Sequence, residues 1–140
     1  MLASWLVATS ATTVALLGTV HLVYTFVGNK LRPRDAALLA AMRTGTLPIT
    51  RETTVWPAWL GFNASHSLGA MLFGAVFGPL PFLAGGQWFF GSTYLQVLGA
   101  VVLTGYLALA WRYWFSIPQR GLGLAWGLYA AGLAAARRST

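Results

Sequence analysis

A chain of 140 residues has the length of one domain, but with 57% hydrophobic and 8% charged residues it falls far short of the roughly 25% charge of a water-soluble domain. Its formal net charge of +7 comes in short clusters between long uncharged runs. This excludes the basic stripe of a nucleic-acid-binding domain, and the absence of cysteine excludes disulfides, thiolate metal sites and a cysteine nucleophile.

Residues 1–29 contain no Lys, Arg, Asp or Glu. About 20 apolar residues cross a bilayer, so a first span over about 2–27 is expected, with Gly28-Asn29 as its stop. The start, MLASWLVATSA, lacks the basic region of a signal peptide, so this span is expected to be retained. Near its end His21, Tyr24 and Thr25 stand at i, i+3 and i+4 and share a face.

The loop 28–56 carries seven of the eleven charged residues, between Lys30 and Glu52. Within it, RPRDAALLAAMRTG predicts a short amphipathic helix from Pro33 to about Arg43, with Leu38, Leu39 and Met42 on one face. A helix of this kind suits the membrane interface; the alternative is a connecting helix packed on the bundle. TLPITRETTVWP then leads back to the membrane, with Trp56 and Trp59 at headgroup level.

The second span is expected over 57–77, with Pro57 at a first helical position and about 31 Å of helix. Its centre, WLGFNASHSLGAMLFG, places four polar side chains within five residues. Asn63, His66 and Ser67 share one helix face. Gly61, Ser65 and Gly69 form a second, small-residue face of the kind by which membrane helices approach closely. Asn63-Ala64-Ser65 has the spelling of a glycan acceptor, but a position inside a span excludes that use.

An uncharged connection, GPLPFLAGGQWFFGS, follows, with Trp88, Phe89 and Phe90 expected at headgroup level. The third span is expected over 93–115 behind Ser92, a good N-cap, and carries Tyr106 and Arg112. The fourth is expected over 118–136. It has a ridge of Gly123, Gly127, Ala131 and Ala135 for packing within the bundle or for a homo-oligomer. The fold class is therefore all-α: a four-helix transmembrane bundle with a short amphipathic cytoplasmic helix, one integral membrane domain over 1–140.

Alternating spans place loops 28–56 and 112–120 on one side. They carry Lys30, Arg32, Arg34, Arg43, Arg51, Arg112 and Arg120, against Arg137 and Arg138 opposite. The bias puts both loops in the cytoplasm and both termini outside. His21 then lies about 9 Å and His66 about 14 Å from the cytoplasmic ends of their spans. Tyr106 reaches a similar level. One pocket of the cytoplasmic leaflet is expected, with His21, Tyr24, Asn63, His66, Ser67 and Tyr106 in its wall and Arg112 at its mouth.

Ionisable groups inside a span are functional candidates. The leading expectation is a site for a lipophilic small molecule or lipid. An enzyme using His21 or His66 in acid–base chemistry is the second. A structural or partner-binding subunit, with the histidines as interhelical glue, is the third. Arg32, Arg34, Arg43 and Arg51, with Glu52 beside them, are candidates for an anionic head group. Two histidines fall short of the three protein ligands of a catalytic metal site, so no metal and no cofactor are expected.

The segments HLVYTFVGNKLRPRDAAL, TTVWPAWLGFNASHSLG and RYWFSIP resemble those of a family of small bacterial four-span membrane proteins of no assigned activity. The resemblance covers about residues 21–118 and implies a bacterial inner-membrane location. Size and span count also resemble the glutathione- and eicosanoid-metabolising four-helix membrane enzymes. The acidic and arginine motif of their second helix is absent here, with no Glu-x-x-Pro around Asn63 and His66, so only the architecture is shared.

Overall fold

The computed structural model describes residues 1–138 and is almost entirely helical. In chain order it contains α1 (Leu2–Phe26), α2 (Ala36–Thr44), a hairpin of β1 (Thr46–Leu47) and β2 (Thr50–Thr54), α3 (Val55–Phe77), α4 (Gln87–Phe90), α5 (Thr93–Tyr113) and α6 (Ser116–Arg137). Among the described residues, three segments are long and apolar enough to cross a membrane: α1, the one headed by α3, and α5. α6 has the length, 22 residues. Its glycine- and alanine-rich sequence, with Gln119 and Arg120 near the start, leaves it less apolar than the other three.

The helix ends follow from local chemistry. Gly28 takes a φ of 80° just beyond α1, a left-handed conformation that glycine adopts without strain. Asp35 caps α2 by accepting from the Ala37 amide at 2.8 Å. The helix therefore starts at Ala36 and not at Pro33, because a capping aspartate itself stays outside the helix. Ser92 caps α5 by accepting from the Leu95 amide. Pro57 falls in the first turn of α3, where an N–H would have no helical partner.

Two elements were not anticipated from the sequence. The stretch expected only to lead back to the membrane pairs as an antiparallel hairpin, Leu47 opposite Thr50, with Pro48 and Ile49 at its tip. The uncharged connection after α3 winds into 3₁₀ turns over Leu80–Gly86, interrupted at Leu83, Ala84 and Gly85, and then into the single turn α4.

Two compact units make up the chain: Gly18–Gly69, and Met1–Leu17 with the chain from Ala70 onward. The core of the second is built from stripes at helical spacing. Val7, Ala11 and Val14 come from α1, and Ala70, Phe73 and Phe77 from α3. Leu103 and Ala110 come from α5, and Leu122, Ala125 and Tyr129 from α6. Phe89 of α4 is wholly buried among aromatic rings.

Hydrogen bonds cross between these helices. The Ser10 hydroxyl donates to the Ala125 carbonyl at 2.6 Å, and the Tyr129 hydroxyl to the Gln96 carbonyl at 2.9 Å. In a bilayer, where apolar burial gives helices little reason to associate, such bonds and close packing hold a bundle together. The outward residues suit the same solvent: Leu72, Val101 and Trp111 are each more than half exposed.

Gly61 of α3 and Gly123 and Gly127 of α6 make no close helix contact within the chain. A β-carbon placed on Gly61, Gly123 or Gly127 would meet nothing within 4 Å. Close approach occurs at other glycines. A β-carbon on Gly132 would meet Val7 Cγ2 at 2.7 Å and the Ala3 carbonyl at 3.1 Å, and one on Gly121 would meet Leu17 at 2.8 Å. α6 turns Leu122, Ala125, Tyr129 and Gly132 to the core. The Gly123–Gly127–Ala131 side faces out.

Candidate functional site

Within Gly18–Gly69, the end of α1 and the start of α3 bring His21, Asn63 and His66 together. His21 Nε2 lies 2.9 Å from Asn63 Oδ1. Asn63 Nδ2 donates to the Trp59 carbonyl, one turn earlier, at 2.7 Å. A carbonyl only accepts, so this second bond fixes which end of the amide faces His21. The oxygen faces the imidazole, and His21 must therefore donate from Nε2–H.

That tautomer has a consequence. In the neutral ring the proton on Nε2 leaves Nδ1 as an acceptor, and no hydrogen bond among the described residues engages it. The His66 ring stands edge-on to His21, with centroids 5.5 Å apart and planes at 81°. Both imidazoles and Asn63 are half-buried. Among the described residues, no third metal-ligating side chain joins them.

The surroundings are held by backbone bonds. Thr25, nearly buried, donates its hydroxyl to the His21 carbonyl at 2.8 Å. The Trp59 indole donates to the Leu31 carbonyl at 3.2 Å and ties α3 to the loop beyond α1. Ser67 is fully buried, and its hydroxyl donates to the Asn63 carbonyl of its own helix at 2.9 Å. That bond engages the Ser67 hydroxyl proton in α3 itself.

The other expected pocket residues are placed as follows. Tyr24 lies on α1 and is 44% exposed. Tyr106 and Arg112 lie on α5, in the other compact unit. Tyr106 packs against the core there, and the exposed Arg112 guanidinium sits 5.3 Å from the centre of the Tyr113 ring. Arg32, Arg34, Arg43, Arg51 and Glu52 are exposed on the segment that joins α1 to α3.

Sequence spacing placed His21, Asn63 and His66 at matching levels, but not the direct bond between His21 and Asn63. It missed Thr25 and Trp59 as supports, since both act on backbone carbonyls and leave no pairwise pattern. Chemically, the cluster offers a hydrogen-bond acceptor on His21 and a second imidazole beside it, within helices of membrane-crossing composition. No protein-family profile, curated protein or solved structure matches this chain.

Proposed function

We propose that this is an integral membrane protein of the bacterial inner membrane that binds a lipophilic molecule by a polar end at the His21–Asn63–His66 cluster. The observation that carries the reading is the fixed His21 tautomer, which leaves Nδ1 open to a ligand hydroxyl or N–H. An ionisable side chain inside a span is costly and is a candidate functional site by default. A second reading has an observation of its own: the His21–Asn63 bond joins α1 to α3 directly, as interhelical glue would.

Ligand occupancy separates the two. Wild type, His21→Leu, Asn63→Leu and His66→Leu are purified in one detergent and examined by native mass spectrometry and thermal unfolding. Interhelical hydrogen bonds average about 0.6 kcal/mol and reach about 1.7, so all variants should remain folded. The binding reading expects a lipophilic adduct on the wild type that is lost in His21→Leu. Absence of any adduct on the wild type, with stability lost in each variant, establishes glue instead.

In the same reading α6 crosses as a fourth span, the 28–56 and 112–120 loops face the cytoplasm, and both termini lie outside. The excess of basic residues in those loops supports this orientation. The native chain lacks cysteine, so Thr46→Cys and Gln87→Cys, both at exposed positions, give clean probes. In intact cells an impermeant thiol reagent should label the Gln87 position and spare the Thr46 position. The reverse pattern overturns the orientation.

A further inference from the structure

The segment between α1 and α3 holds five exposed cations, Lys30, Arg32, Arg34, Arg43 and Arg51, and two acids, Asp35 and Glu52. Asp35 is already engaged as the cap of α2. None of the five cationic side chains makes a hydrogen bond or ion pair among the described residues. α2 itself buries no residue. Between Lys30 and Glu52 the large apolar side chains in the open are Leu38 of α2, 52% exposed, and Ile49 at the hairpin tip, 89% exposed.

The segment combines a cluster of positive charge with an exposed branched apolar tip. It matches the boundary of an anionic bilayer, where cations meet phosphates and apolar side chains sink below them. The segment leaves α1 at Phe26 and enters α3 at Val55, so it is tethered where two membrane-length helices end. We propose that residues 27–54 form a surface that recognises anionic phospholipid, with Lys30, Arg32, Arg34, Arg43 and Arg51 on the head groups and Ile49 inserted as an apolar anchor. The hairpin explains Ile49: its two-residue turn projects Pro48 and Ile49 beyond the paired strands.

The test uses the full chain with Ile49→Cys, spin-labelled at that position, in nanodiscs of phosphatidylcholine alone or with phosphatidylglycerol. Accessibility to oxygen reports the acyl region, and accessibility to a nickel chelate reports water. With phosphatidylglycerol the label should become oxygen-accessible and chelate-shielded. In phosphatidylcholine alone it should remain in water. Adding Arg43→Gln with Arg51→Gln should return it to water, each charge lowering the inserted-to-free ratio on the order of fivefold. High salt should act in the same direction. A label at Gln87→Cys, on the uncharged connection, should not respond to phosphatidylglycerol. Equal accessibility of the Ile49 label in both discs overturns the proposal, as does indifference to the arginine replacements. A shift produced in neutral discs by single-stranded RNA makes nucleic acid the partner and also overturns it.

Discussion

Phe89→Ala should lower the free energy of unfolding by about 3–5 kcal/mol, the range for removing a large aromatic from a packed interior. Phe89 has 0% exposure and lies edge-on to three rings: Phe77 at 6.2 Å, Phe90 at 5.0 Å and Tyr129 at 6.0 Å between centroids. Its loss leaves a void lined by aromatic faces that the helices cannot close without moving. Edge-to-face geometry adds about 0.5–1.5 kcal/mol per pair beyond contact area, so Phe89→Leu should recover only part of the loss. Trp88→Ala is the internal comparison, because Trp88 is 61% exposed and its replacement should be mild. Reversible unfolding in mixed detergent micelles measures all three, and equal losses for Trp88→Ala and Phe89→Ala would refute the assignment of this core.

The second large effect separates two glycines of α6. Gly132→Leu should cost about 3 kcal/mol or prevent folding, at the upper end of the usual range for overpacking. One of the atoms in its way is the Ala3 carbonyl oxygen at 3.1 Å, and main chain inside a helix cannot step aside as a side-chain tip can. Gly132→Ala supplies a graded variant that should fold and still lose stability. Gly127→Leu, with nothing within 4 Å of the new β-carbon, should change monomer stability by less than about 0.5 kcal/mol. Thermal unfolding of the three variants in one detergent reads the contrast. A Gly127→Leu loss that matches Gly132→Leu would show that the outward side of α6 is packed after all.

That contrast marks a limit of the sequence. α6 carries small residues at Gly121, Gly123, Ala125, Gly127, Ala130, Ala131 and Gly132, so four-residue spacing can be drawn on more than one face. Which face packs depends on the partners Val7 and Leu17, far away in the chain. The helices themselves were legible because uncharged runs and caps such as Ser92 are local signals. The hairpin was not, since Thr50, Thr53 and Thr54 favour a strand but sit in five residues beside a proline.

The candidate site divides on the same line. His21, Asn63 and His66 met because depth along a helix can be counted residue by residue. The polar spacing of Ser67 gave no sign that its hydroxyl bonds to its own helix. For Tyr106 and Arg112, counting along the chain gives their level on α5 and no more. The direct His21–Asn63 bond needed side-chain geometry, and with it came the tautomer.

At the corner between α5 and α6, the Gln119 amide donates to the Trp114 carbonyl at 2.8 Å and to the Ala110 carbonyl at 3.2 Å. The last carbonyls of a helix have no partner within it, and hydrocarbon offers none. From the next helix, five residues beyond Trp114, Gln119 meets the Trp114 carbonyl and adds a second donor to the Ala110 carbonyl, which already accepts from the Trp114 amide at 3.0 Å. The end of α5 is therefore closed by a side chain that the next helix supplies, and the corner carries its own hydrogen-bond donors instead of drawing them from its surroundings.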